Sequence, residues 1–149
     1  MTVEPAEVTP GLVLQLDSKR LRKTRDSRTN AEIGAEGDRA VGEVHTFLLV
    51  GVDATSGLCT AVPLFAKTAV GNQPLEEPGR SGGDTSWRET PVYFSRWQHW
   101  RIPMATLLAA VEDDGTTDAT RRRYAAEDRT ALDDIRSWEK KNRSAYRIA

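Results

Sequence analysis

The chain has 149 residues, 38% of them hydrophobic and 29% charged, with a formal net charge of −1. That length fits one domain able to bury roughly two thirds of its unfolded surface without disulfides or metal. The charge balance excludes a uniformly basic polyanion binder and an acidic tail, and the lone Cys59 excludes an intrachain disulfide.

Residues 1–10 read as a flexible lead. They lack the basic-then-apolar order of an export leader, and no segment reaches the ~18 apolar residues of a membrane span. A cytoplasmic protein with no membrane partner is therefore expected. After Pro10-Gly11, Leu12–Leu16 is a first strand, with Leu12, Leu14 and Leu16 alternating with Val13 and Gln15 so that one face is buried. Ser18 to Gly42 then carries Lys19, Arg20, Arg22, Lys23, Arg25 and Arg28 with almost no apolar residue. It reads as a long basic loop, too polar to fold alone. Such a patch concentrates a phosphate backbone; the plainer reading is a solvated loop.

Val44–Val52 and Leu58–Phe65 are β-branched and apolar, and Asp53, Ser56 and Gly57 supply the turn between them. This hairpin organises whatever core exists. Cys59, inside its second strand, reads as a small hydrophobe. Gly71 to Trp87 is rich in Gly and Pro and reads as a surface connection. Pro91–Ser95 is a further strand, carried on through Arg96–Ile102, where Trp97, His99 and Arg101 alternate with Gln98, Trp100 and Ile102. Aromatics beside Arg96 and Arg101 suit base stacking, although filling a core face is the plainer use. The two His and one Cys are scattered without ligand spacing, so neither a metal nor another cofactor is expected.

Pro103 opens a short helix through Val111, and Asp113-Asp114-Gly115 breaks it. Thr117 or Asp118 caps a last helix running to about Asn142. Tyr124, Ala131, Ile135 and Trp138, at spacings of seven, four and three, form its apolar stripe, while Arg121, Arg122 and Arg123 sit on an exposed turn. Tyr124, Ile135 and Trp138 either pack on the sheet or dock a partner. Sequential, mostly antiparallel strands followed by helices imply a mainly β, α+β single domain: a small bent sheet or barrel over 11–102 and a helical part over 103–149.

This layout resembles the PemK/MazF toxin family, whose fold is an SH3-like barrel. Pro10-Gly11-Leu12-Val13 is similar to the family's opening Pro-Gly-x-Val strand, the Arg-rich segment to its mobile first loop, and Thr60-Ala61-Val62-Pro63-Leu64 to the strand that ends Val-Pro-Leu-Thr-Ser. Gly71 to Trp87, Phe94 and Gln98-His99-Trp100 resemble members with a Gly-rich insert and a late Gln-x-Trp. The resemblance implies an endoribonuclease acting on RNA, a homodimer, and neutralisation by an antitoxin protein. The family's first-loop Arg matches Arg22, Arg25 or Arg28, among which spacing does not choose. RNA cleavage needs a base, an acid and positive charge on the phosphate. The candidate catalytic set is Arg25, His45 and Thr68, with Arg20, Arg22, Lys23, Arg28 and Lys67 as RNA-binding cations. Phe65 and Ala66 stand where the family has Thr and Ser. The alternative is therefore a non-catalytic SH3-like module that binds a protein or nucleic acid through the basic loop and the last helix. Leu49–Gly57, with Asp17, also resembles part of a retroviral-type integrase core. The second Asp of that family is missing, and two-metal chemistry needs several carboxylates.

Overall fold

A computed structural model describes residues 3–30, 43–67, 72–75, 79–95, 98–125 and 146–149. Eleven strands are present among them: β1 Val13–Asp17, β2 Arg28–Thr29, β3 Val44–Val52, β4 Leu58–Phe65, β5 Asn72–Pro74, β6 Arg80–Ser81, β7 Tyr93–Ser95, β8 Trp100–Pro103, β9 Val111–Glu112, β10 Arg123–Tyr124 and β11 Arg147–Ile148. Three α-helices, α1 Ser18–Lys23, α2 Thr85–Glu89 and α3 Met104–Ala110, are interspersed. The architecture is mainly β with a few helices.

The main sheet runs β11-β2-β8-β4-β3-β1-β9, with β7 and β5 branching from β4. Every pairing is antiparallel. β4 is the branch point because its two halves serve different neighbours: Leu58–Ala61 pair with β8, and Leu64–Phe65 pair with β7. A register shift between Leu49 and Gly51 bends β3 across β4. The path ends at β9 and β11, so the described strands do not close into a barrel.

The β3–β4 hairpin has the bounds its residues predict, because the Asp53 carboxylate caps the turn by accepting from the Thr55 and Ser56 amides at 2.8 and 3.0 Å. Burial on both faces of the sheet, rather than one, explains the unbroken apolar run Phe47–Val50. On one face Leu14, Leu16, Phe47, Leu49, Cys59, Ala61, Trp100 and Ile102 meet Leu21 of α1 and Leu107 of α3. On the other, Val13, Leu48, Val50, Val62 and Leu64 meet Phe94, Leu75, Trp87 and Tyr124. Cys59 belongs to the first core, and burial pushes its thiol up to about 11, so it packs as a hydrophobe.

Four expectations are corrected. Residues 3–10 are not a loose lead: a 3-10 helix over Pro5–Glu7 seats Val3 and Val8 in the core at 5% and 4% exposure. The basic segment is not a plain loop: residues 18–29 form α1 and β2. The Gly-rich connection contains β5, β6 and α2. The last helix does not begin at Thr117 or Asp118, since residues 118–120 turn and Tyr124 lies on β10. Ion pairs take the arginines there instead. Arg121 meets Glu7 at 2.8 Å and Arg122 meets Asp114 at 2.8 Å, both largely buried. Tyr124 is core, 4% exposed, while Ile135 and Trp138 lie outside the described residues.

Candidate nucleic-acid interface

The basic segment is held by a few specific anchors. Asp17 ends β1 and accepts from the Lys19 amide at 2.9 Å, which starts α1. Leu21 inserts fully into the core. After α1 the chain turns at Arg25, whose φ of 57° is left-handed. Asp26 then accepts from Thr106 of α3 at 3.0 and 2.9 Å and from Thr24 at 2.6 Å. The Thr24 bond leads in holding its carboxyl below the ordinary range, with Thr106 adding to it against the cost of burial. Thr29 and Asn30 close the segment onto His99: Thr29 Oγ1 donates to the His99 carbonyl at 2.8 Å, and Asn30 Oδ1 accepts the His99 amide at 2.6 Å.

These anchors sort the expected cations. Arg20 is tied to Asp17 and Glu112 at 3.6 and 3.5 Å. Arg22 lies over the Trp100 ring, 5.4 Å from its centroid. Lys23, Arg25, Arg28 and Lys67 are exposed. Arg28 pairs in register with Arg101 and Thr29 with Trp100, so alternation puts Arg28 on the opposite face of the sheet from Trp100.

Arg22 begins a row of rings along one end of the first core. Trp100 meets Phe47 edge-on at 5.8 Å, Phe47 meets His45 at 6.0 Å, and His45 meets Phe65 at 5.1 Å. His45, Phe47 and Leu49 share a face by strand alternation. The His45 Nε2 lies 2.7 Å from the Leu64 carbonyl. Partial burial pushes the imidazole below its ordinary range, against a smaller upward pull from that carbonyl. A neutral ring therefore donates Nε2–H to Leu64 and leaves Nδ1 as its basic atom. His99 is fully buried among Asn30 and Thr29 and serves the core.

The structure thus brings Arg22 and His45 into one row. No hydrogen bond or ion pair joins Arg25 to His45, and Thr68 lies outside the described residues, as does Trp97. Asp17, the integrase-like carboxylate, caps α1, and no group of three metal-ligating side chains occurs among the described residues.

On the opposite face of the sheet, α2 and the turn before it wall a cavity of about 270 Å³, lined by Thr46, Leu64, Phe65, Ala66, Trp87 and Arg122 among others. Sequence reasoning missed this site, because Arg80, Asp84 and Arg122 gain their meaning only when distant segments dock. No helix among the described residues is long and apolar enough to cross a membrane. No family model matches the chain, and no curated protein or solved structure does either.

Proposed function

We propose that this protein acts on single-stranded RNA as a MazF/PemK-like toxin-type protein, its bent sheet an opened form of the SH3-like barrel. The observation that carries the reading is the row Arg22–Trp100–Phe47–His45–Phe65 beside the exposed Lys23, Arg25 and Lys67. Trp100 and Phe47 are fully buried and hold the row in place, so its partly exposed members Arg22, His45 and Phe65 are the ones that meet RNA, while the exposed cations draw its phosphates. Arg22 and Arg25 neutralise the scissile phosphate; His45 Nδ1 takes the 2′-hydroxyl proton as that oxygen bonds to phosphorus, the bond from phosphorus to the 5′-oxygen breaks, and water protonates the leaving oxygen. Homodimerisation and capture by an antitoxin belong to the same reading.

A second reading has its own support. Phe65 and Ala66 carry no hydroxyl, and His45 has one nitrogen committed to Leu64. Both favour a module that binds RNA and does not cut it.

End-labelled single-stranded RNA tests both. Binding is expected to weaken steeply as salt rises, and Lys23→Ala with Arg25→Ala to flatten that slope. Cleavage ends lost on His45→Ala support the enzyme; binding without cleavage supports the module. No binding at low salt sinks both.

A further inference from the structure

Behind the ring row lies a site built from other segments. The cavity of about 270 Å³ adjoins a second of about 500 Å³, and Asp84 and Arg122 line both. Leu64, Trp87, Pro91 and Val92 give the smaller one an apolar lining. That combination suits one flat heterocycle with polar edges. We propose that this is a nucleobase subsite that takes guanine; it rests on the RNA reading and names the base that the site selects.

The polar complement comes from two groups with hydrogen-bonding capacity to spare. Arg122 spends Nη2 on the Asp114 carboxylate at 2.8 Å, while its buried Nε–H has no partner. A buried charged donor left unmade is costly, and an acceptor in the cavity satisfies it once the guanidinium turns outward from its stem. Asp84 spends Oδ1 on the Trp87 amide at 2.9 Å and keeps Oδ2. The site therefore offers a donor and an anionic acceptor on the lining of the same two cavities. Guanine answers both: O6 and N7 accept from a guanidinium, and N1–H with N2–H donate to a carboxylate. Adenine brings no carbonyl and turns the N1 lone pair toward the carboxylate. Uracil lacks the exocyclic amine.

Charge argues for a base rather than a phosphate. Asp114 already neutralises Arg122, and Asp84 leaves the site with one excess negative charge, which repels a phosphate group. The walls are also fixed in advance. A Cβ on Gly83 would sit 2.6 Å from Arg122 Cγ, so the arginine stem lies directly on that glycine. Arg80 donates Nη1 to the Trp87 and Thr90 carbonyls at 2.8 and 2.6 Å and lies over the Trp87 ring, which clamps α2 in place. Phe65 joins the site to the ring row: it meets His45 and also lines the cavity. A strand of RNA that meets the partly exposed His45 and Phe65 is thereby led over the sheet end into the pocket.

Calorimetric titration of the full chain with guanosine, a probe without phosphate, is expected to give saturable one-site binding, with adenosine about tenfold weaker or more. Asp84→Asn keeps an oxygen for the Trp87 amide but loses the charge, and is expected to weaken guanosine about tenfold with little change in melting temperature. Asp84→Ser, a shorter cap, serves if that variant unfolds. Equal affinity for the two nucleosides, or full guanosine affinity in the folded variant, overturns the subsite. Oligouridine reports the basic face by itself. Its salt-sensitive binding with no guanosine binding sinks the subsite and leaves the RNA reading standing; guanosine binding with no RNA binding supports the subsite and sinks the RNA reading.

Discussion

His45 shows how one residue ties folding to pH. Its ring sits between Phe47 and Phe65, and desolvation lowers its pKa against the smaller opposing effect of Leu64. The unfolded chain therefore takes up a proton at higher pH than the folded one. The stability that a neutral His45 contributes is full above the unfolded value of about 6.5 and is lost as pH falls through the lowered folded value. Urea unfolding measured between about pH 7.5 and 5 is expected to show falling stability, and His45→Phe to flatten that stretch of the curve. Parallel curves for the two proteins would remove His45 as the cause. The sequence offers His45 as the catalytic candidate but shows no contact that sets it apart from His99. His99 is the structural one because Thr29 and Asn30, about seventy positions away in the chain, bond to its backbone. No local pattern encodes that contact.

Elements with strong periodicity were legible, and those held by single anchors were not. β3 and β4 announce themselves through unbroken β-branched and apolar runs and an Asx-type turn. α1 has one buried apolar side chain, Leu21, with Asp17 as cap and Asp26–Thr106 as clamp, so its composition resembles a solvated loop. The Gly-rich stretch resembles a plain connection for the same reason. Its glycines mark docking instead: Gly82 has φ +70°, and a Cβ there would lie 2.0 Å from the Arg121 carbonyl oxygen. Gly82→Ala thus cannot fit without moving the backbone that carries Arg121 and Arg122. The variant is expected to lose about 2 kcal/mol or more from strain and lost ion pairing. The damage should concentrate at β6, β10 and α2: hydrogen exchange at the Gly83 and Tyr124 amides, bonded to the Thr120 and Gly11 carbonyls at 2.9 and 2.7 Å, accelerates, while the β3–β4 ladder stays protected. Uniform acceleration across the sheet would mean that these segments are not a separate unit.

Across the whole molecule, segments near both ends of the chain brace the sheet, and they do so unequally. Near the start, Val3 and Val8 fill the first core, and the Arg121 bond leads in holding Glu7 below the ordinary carboxylate range. Near the end, β11 pairs two residues with β2, the Ala149 amide bonds the Ser27 carbonyl at 2.9 Å, and Tyr146 lies under Arg101 at 4.3 Å. Two buried valines are worth about 1.5–3 kcal/mol each, and taking the Glu7 carboxylate from the largely buried Arg121, which keeps its bonds to Thr116, costs about 3 kcal/mol more. The short edge pairing of β11 is worth far less, because an edge strand of two residues buries little. Deleting residues 1–9 is therefore expected to cost roughly 6 kcal/mol or more, much of the stability of an ordinary domain, and to lower the denaturation midpoint accordingly. Deleting residues 146–149 is expected to fray β2 and loosen the basic segment while the global midpoint moves only slightly. Glu7→Gln in the full chain separates the two contributions at the start, since it removes the charge and keeps both valines. A larger loss from the C-terminal deletion than from the N-terminal one would show that closure at β2, and not the seat of Val3 and Val8, holds the two faces together.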